Sequence, residues 1–279
     1  MMRSFYWADH PTAALAVRDL TRTVAVLPIA AVEQHGPHLP LGVDAFINRA
    51  IVERCVGRLQ PEHDVLVLPA LTVGKSDEHL AFPGTLAIDG ATLRRVWLDM
   101  AASLHRAGIR RLVFFNSHGG QMALMDIVCR DIRIRFGMLA ISCSWFRLTA
   151  VDDLFSGSEI AHGIHGGDIE TSMMLAIAPH LVDMDKAEDF VPLTVAIERS
   201  GSPLTAEGAV GFGWQAQDLH EAGVCGNAAA ASAEKGERVL ERAADDLVRL
   251  IEATGAFDLA HLAPVTRFSR AASDDAAGF

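Results

Sequence analysis

Four short, uninterrupted apolar runs, set apart by longer segments of helical period, restrict the fold of this chain more than any other feature. Thr23 to Ala31 (TVAVLPIAA), Val65 to Pro69, Leu112 to Phe115 and Met138 to Ser142 read as strands, because continuous apolar runs of this length suit a parallel sheet covered on both faces. Between them, Ile47, Ala50, Ile51 and Cys55 recur at helical spacing, as do Leu124, Ile127, Val128 and Ile132. Ala91 to Ala107 is a third expected helix, ended by Gly108 before the next strand. This β-α-β-α order predicts the α/β class, as a three-layer α/β/α sandwich with a mostly parallel central sheet. Sites in such folds gather at the carboxyl ends of the strands.

The rest of the chain is less periodic. Glu188 to Gly226 reads as a long loop or small excursion before a last helix, Ala228 to Ala253, and Phe268 to Phe279 reads as a frayed tail. No linker divides the chain, so residues 1–267 are expected to form a single domain and 268–279 a flexible C-terminal tail.

Composition removes several classes of function. With 279 residues, half of them hydrophobic, the chain can bury a substantial core and is neither disordered nor fibrous. A formal net charge of -11, without runs of Lys and Arg interleaved with aromatics, argues against nucleic acid as a partner. Arg3, Asp9 and Pro11 interrupt the N-terminal stretch, which lacks a signal-peptide core, and no run approaches the roughly 20 apolar residues of a membrane span. Cys55, Cys129, Cys143 and Cys225 lie far apart with no C-x-x-C pair, as expected of small core residues in a reducing cytoplasm.

Chemistry concentrates just after the expected strands. Glu33-Gln34-His35-Gly36-Pro37-His38-Leu39-Pro40-Leu41-Gly42-Val43-Asp44 follows the first. Residues two apart in an extended segment face the same side, so Glu33 and His35 can grip one ion, and Asp44 opens the next helix where its carboxylate can fold back. Asn116-Ser117-His118-Gly119-Gly120-Gln121 follows the third strand, its glycines allowing close backbone approach to an anion or a developing oxyanion. His162-Gly163-Ile164-His165-Gly166-Gly167-Asp168-Ile169-Glu170-Thr171-Ser172 again sets ionisable groups at the head of an apolar helix. Together Glu33, His35, Asp44, His118 and Glu170 form an all N/O ligand set suited to Zn²⁺, with Mn²⁺ and Fe²⁺ accepting the same donors. Five ligands exceed the need of one open catalytic zinc. Two ions roughly 3.5–4 Å apart, bridged by a carboxylate and by a water that becomes hydroxide near neutral pH, would use them all.

These motifs resemble those of the creatininase family, also called creatinine amidohydrolases. Its members show E-x-H-G-x-H-x-P-L-x-x-D, N-x-H-G-G-N and H-A-G-x-x-E-T-S in this order, and Ser76-Asp77-Glu78-His79 through Phe82-Pro83-Gly84-Thr85-Leu86 is similar to the family's S-x-E-H and F-P-G-T region. The likeness covers roughly Thr23 to Ala178. It implies a dinuclear metal hydrolase acting on C–N bonds of cyclic or linear amides through a metal-bridging hydroxide, assembled as a homo-oligomer, often a hexamer. It also implies metal ligands at Glu33, His35, Asp44 and His118, with Glu170 at the family glutamate, and His165 as the acid/base at the leaving nitrogen. Glu170 takes that proton role if it is not a ligand.

Two departures are small: Gln121 stands for Asn, and Gly166 for the Ala of H-A-G. A third concerns substrate. Enzymes that open creatinine resemble N-G-H-Y-E in the second motif, with the glutamate a ligand, whereas Gly119-Gly120 stands here. That version is similar to relatives that deformylate a pyrimidine-type intermediate of flavin or deazaflavin synthesis, or process a small modified peptide.

Three classes of function are therefore weighed: a metal-dependent amidohydrolase of small amides, a metallopeptidase for a dedicated short peptide, and a non-catalytic metal-binding or assembly protein. A Ser nucleophile lacks its G-x-S-x-G elbow. His38, Asp168, Glu78 and His79 are expected to fix ligands or loops rather than ligate. His63, His105, His180 and His261 are expected at the surface or in structural roles. Trp214 is expected either to close over a flat substrate or to pack against a neighbouring subunit. The cavity walls are expected from Ser144 to Gly163 and Glu188 to Gly226.

Overall fold

The computed structural model describes residues 4–268; positions 269–279 of the expected tail lie outside the described residues. Strands β1 (Val24–Ile29), β2 (Val65–Val67), β3 (Arg111–Asn116) and β4 (Leu139–Ser144) form one parallel sheet in the order β2-β1-β3-β4. Val26 pairs with Val67 on one side and Val113 on the other, and Val113 with Ile141.

Alternate strand residues face opposite sides, and each face is covered. Val24, Val26, Val113 and Phe115 pack beneath helices α1 (Val43–Arg58), α4 (Asp168–Ile177) and α5 (Ala233–Ala256). Ala25, Leu27, Leu112 and Phe114 pack on α2 (Gly90–Arg106) and α3 (Met122–Phe136). The continuous apolar runs thus belong to a three-layer α/β/α sandwich, as expected. The four cysteines are free and buried. Among the described residues no helix is long and apolar enough to cross a membrane.

Element ends differ from expectation where polar groups are buried. β3 begins at Arg111, earlier than an apolar run reveals, because its guanidinium donates to the carbonyls of Thr254, Thr21 and Phe257. The last helix begins at Ala233 rather than Ala228. Ser232 caps it by accepting from the Lys235 N–H, and Ala228–Ala230 forms a separate tight turn. The stretch from 188 to 226 proves to be a structured excursion. Asp189–Phe190 pairs antiparallel with Gly226–Asn227, and short helices span Leu193–Arg199 and Ala216–Leu219.

The strand order sets the site. From β1 the chain goes to β2 on one side, while β3 lies on the other, so the segments leaving β1 and β3 diverge and open a crevice at their carboxyl ends. Asn48 of α1 ties the two ends together: its Nδ2 donates to the Ile29 and Phe115 carbonyls at 3.1 and 3.0 Å and contacts Ser117 Oγ at 2.9 Å.

Candidate metal centre

Glu33, His35, Asp44, His118, His165 and Glu170 all converge at this crevice. After β1, Gly36 adopts φ +76°, a conformation that turns the chain where a side chain would be strained. His35 Nδ1 lies 3.1 Å from the Glu33 carbonyl and donates to it, which leaves Nε2 bare. That Nε2 faces Asp44 Oδ1 at 3.5 Å and Glu170 Oε2 at 3.7 Å. Asp44 sits in the first turn of α1, but the helix has no side-chain cap, so the carboxylate is not spent on backbone N–H groups.

His118 is held from the other side. Its N–H donates to Asn116 Oδ1 at 3.0 Å, and its Nε2 donates to the Lys75 carbonyl at 2.7 Å. Nδ1 is then the free nitrogen, 3.2 Å from Glu33 Oε2 and 3.4 Å from Asp44 Oδ2. Glu33 Oε2 also accepts from Ser76 Oγ at 2.5 Å. Glu170, in the first turn of α4, accepts the Gly166 N–H at 2.6 Å. His165 donates from Nε2 to the Gln34 carbonyl at 2.7 Å, so its Nδ1 lone pair faces Glu33 Oε1 at 3.7 Å.

The neighbouring groups surround this cluster. Gln34 Oε1 accepts the Gly36 N–H and its Nε2 donates to the Gly223 carbonyl, which fixes the amide orientation. Its Nε2 therefore donates to His79 Nδ1 at 2.8 Å, leaving the His79 proton on Nε2, 3.5 Å from Glu33 Oε1. Glu78 Oε1 lies 3.5 Å from the Nε2 edge of His118, opposite the free nitrogen, in the space a side chain at position 120 would occupy. Asp168 is taken by Lys235 Nζ and Ser172 Oγ, and His38 by Thr171 Oγ1 at 2.9 Å. Trp214 lines the cavity with its Nε1 donating to the Ala206 carbonyl at 2.9 Å. Asn48 stands outside the sequence motifs, whereas Gln34, Asn116 and Ser76 stand inside them without the pattern revealing what each supports.

Electrostatics follow from packing acids and imidazoles away from water. Burial alone would push the Glu33 carboxyl up, but the positive charge and hydrogen bonding of His118, with His79 and His165, pull it well below the usual range. Burial alone would likewise lower His35, yet Asp44, Glu170 and Glu33 raise it to about 9. His118 is raised well above its ordinary value by Glu33 and Asp44 against the same burial. Glu170 is pushed up to about 7 by burial, helped by Asp44 and Glu33 and opposed by His35. Burial, with the neighbouring His35 and His79, depresses His165, which is neutral at pH 7.

The donors fit a divalent cation. His35 Nε2 and Asp44 Oδ2 are buried without a hydrogen-bond partner among the described residues, and buried polar atoms are ordinarily satisfied. Donor atoms of Glu33, His35 and Asp44 lie within 4.8 Å of one another, as do those of His35, His165 and Glu170 and those of Glu33, His79 and His165. All are nitrogen or oxygen, suited to zinc, manganese or iron. The crevice opens into a cavity of about 360 Å³, lined beyond the cluster by Gly119, Gly120, Trp145, Arg147, Ile160 and Trp214.

Known proteins share this architecture. The creatininase family profile, described as creatinine amidohydrolase, matches residues 10–251. A creatinine amidohydrolase of Pseudomonas putida is 32% identical over 240 residues, covering 78% of this chain and 84% of that protein. A mycofactocin precursor peptide peptidase of Mycobacterium ulcerans (strain Agy99) is 32% identical over 234 residues, covering 81% of this chain and 83% of that protein. Among solved structures, a glutamate-to-glutamine mutant of creatininase of Zn-Zn type matches with a TM-score of 0.71 and 28% identity, over 91% of this chain and 99% of that one.

Proposed function

The chain belongs to the creatininase family, and from that premise we propose that it is a metal-dependent hydrolase of non-peptide C–N amide bonds, acting on a cyclic amide or a formamide. Residues 1–267 form the single catalytic domain of this reading. Two divalent ions, zinc before manganese or iron, are held by Glu33, His35, Asp44 and His118, with Glu170 completing the set. The observation that carries it is the pair of buried atoms His35 Nε2 and Asp44 Oδ2, without hydrogen-bond partners among the described residues, within a cluster whose Glu33, Asp44, His118 and Glu170 line the cavity. When bound, the ions supply Lewis acidity toward the substrate carbonyl and acidify water to a nucleophile.

The protein's own part is positioning and proton movement. The Glu33 carbonyl orients His35 and the Lys75 carbonyl orients His118, so that one nitrogen of each ring faces the cluster. Gly119 and Gly120, bare at the cavity wall, let the carbonyl end of a substrate approach the backbone. His165 Nδ1 is the atom that takes a proton and returns it to the leaving nitrogen, since Nε2 is committed to Gln34. Glu170 is the alternative proton carrier. Family likeness supports a homo-oligomer, and the four free cysteines suit a reducing cytoplasm.

The test is hydrolysis of a panel of lactams, formamides and short peptides by metal-loaded protein, beside Glu33→Gln and His118→Ala. Loss of both metal and turnover in the variants is expected. Turnover that persists in metal-free protein defeats the reading, and turnover of peptides alone would favour the metallopeptidase.

A further inference from the structure

β4 ends at Ser144 and delivers the turn Trp145–Leu148, followed by Thr149, into the wall of the cavity. Three polar groups of this turn are unspent. Trp145 Nε1 and Thr149 Oγ1 are buried without hydrogen-bond partners among the described residues, in residues only 3% and 5% exposed. Arg147 is exposed and makes no ion pair or hydrogen bond among the described residues. It is also the one Arg or Lys among the described residues that line the cavity. Several of the cavity's acids, by contrast, are engaged: Glu33 by Ser76 and His118, Glu78 by Lys75, and Glu159 by the N–H groups of Ile169 and Asn227.

We propose that Trp145, Arg147 and Thr149 form a subsite that binds a carboxylate of the substrate, so that the enzyme selects amides carrying one. The inference rests on the cavity being an amide-hydrolysing site. An indole N–H, a hydroxyl and a guanidinium all donate, and their natural complement is a group that only accepts. A guanidinium matches the planar fork of a carboxylate in particular. Asp152 and Glu207 line the same cavity and oppose a dianion, which favours a monoanionic carboxylate over a phosphate. Burying two donors that none of the described residues satisfies costs stability, as expected where a ligand completes them.

The experiment uses zinc-loaded protein and two matched pairs of probes: N-formyl-leucine with N-formyl-leucinamide, and Ala-Ala-Leu with a free or an amidated C-terminus. Affinity is read by calorimetry, with kcat and KM wherever a probe is turned over. The carboxylate member of at least one pair is expected to bind about tenfold tighter or better, the scale of a charge-assisted hydrogen bond. Which pair shows it separates an acylated amino acid from a peptide terminus. In Arg147→Gln the preference collapses, chiefly through KM, while Arg147→Lys keeps part of it; thermal unfolding stays unchanged, since the side chain is exposed and unpaired. Equal affinity within both pairs, binding of neither probe, or a preference that survives Arg147→Gln overturns the proposal, the last assigning the carboxylate to the metal. Hydrolysis of both members alike removes the subsite and leaves the amidohydrolase. An Arg147-dependent preference without hydrolysis of any amide removes the amidohydrolase and leaves the subsite.

Discussion

Gly120→Ala is a small change that the structure places against the centre itself. A Cβ at this position would stand 1.6 Å from Glu78 Oε1 and 2.7 Å from His118 Nε2. Glu78 must withdraw by more than about 1 Å, a cheap movement for the end of a flexible side chain, and so it leaves the Nε2 edge of His118. The His118 ring must also shift, and with it Nδ1, now 3.2 Å from Glu33 Oε2. Misplacing a catalytic constellation by 1 Å can cost on the order of a hundredfold in rate. Disturbing the groups that orient a ligand costs about 10–100-fold in metal affinity. The expected outcome is a fall of about 10–100-fold in both kcat/KM and zinc affinity, with folding stability changed by less than about 1 kcal/mol. Zinc titration, hydrolysis of the best probe and thermal denaturation read the three quantities. A second variant, Gly120→Ala with Glu78→Ala, removes the first collision but not the one with His118, and should recover only part of the loss. Wild-type zinc affinity and activity in Gly120→Ala would refute the placement of Glu78 and His118. A loss of stability matching the loss of activity would show that the glycine is there for folding instead.

Other expectations extend the same reasoning. Ser76→Ala removes the hydroxyl that donates to Glu33 Oε2 at 2.5 Å, and should weaken zinc binding about 10–100-fold in a competition titration; unchanged affinity would leave Ser76 without this role. In protein stripped of metal, His35, raised to about 9, contributes stability that is complete below its unfolded value near 6.5 and lost as pH rises through 9. That loss is about 3 kcal/mol. Glu170, raised to about 7, acts in the same direction, its contribution complete below about 4.5 and lost through 7. Glu33, held low, contributes stability that is fully present across this range and is lost only on acidification, so it adds no slope here. Urea unfolding of the stripped protein should therefore weaken from pH 6 to 10 relative to the zinc-loaded protein in the same buffers; parallel curves would contradict the charge assignments. Gly236→Ala on α5 would bring a Cβ within 1.9 Å of the Ser172 carbonyl of α4. Overpacking against backbone costs about 1–3 kcal/mol and outweighs the helix-propensity gain of roughly 1, so Tm should fall, and a rise would contradict the close approach.

What could be read from sequence was whatever local pattern dictates. β1 and β3 were visible because sheet residues buried on both faces must be apolar at every position, and the α/β/α layering follows from that. Arg111 and Asn116, at the two ends of β3, escaped the pattern because they are polar and buried, with partners distant in sequence such as Thr254 and Ser144. Ala228–Ala230 suits a helix by composition, but the Ser232 cap fixes the start of α5 further on. The proposed ligands were legible for a different reason. Glu33, His35, Asp44 and His118 stand in the segments that leave β1 and β3, where the fold class already puts chemistry, and Glu170 stands in a third motif rich in ionisable groups at the start of α4. Gln34 orients His79 across 45 positions, and Trp145, Arg147 and Thr149 stand out only once their missing partners are visible. No spacing rule reports either fact.

The central claim is that this side-chain cluster holds a pair of metal ions. Elemental mass spectrometry on protein purified without chelator or added metal tests it most directly. The account predicts about two equivalents of zinc, manganese or iron per chain, the stoichiometry of a two-metal site. One equivalent would take Glu170 or Asp44 out of the ligand set, and none, even after reconstitution, would contradict the account at its centre.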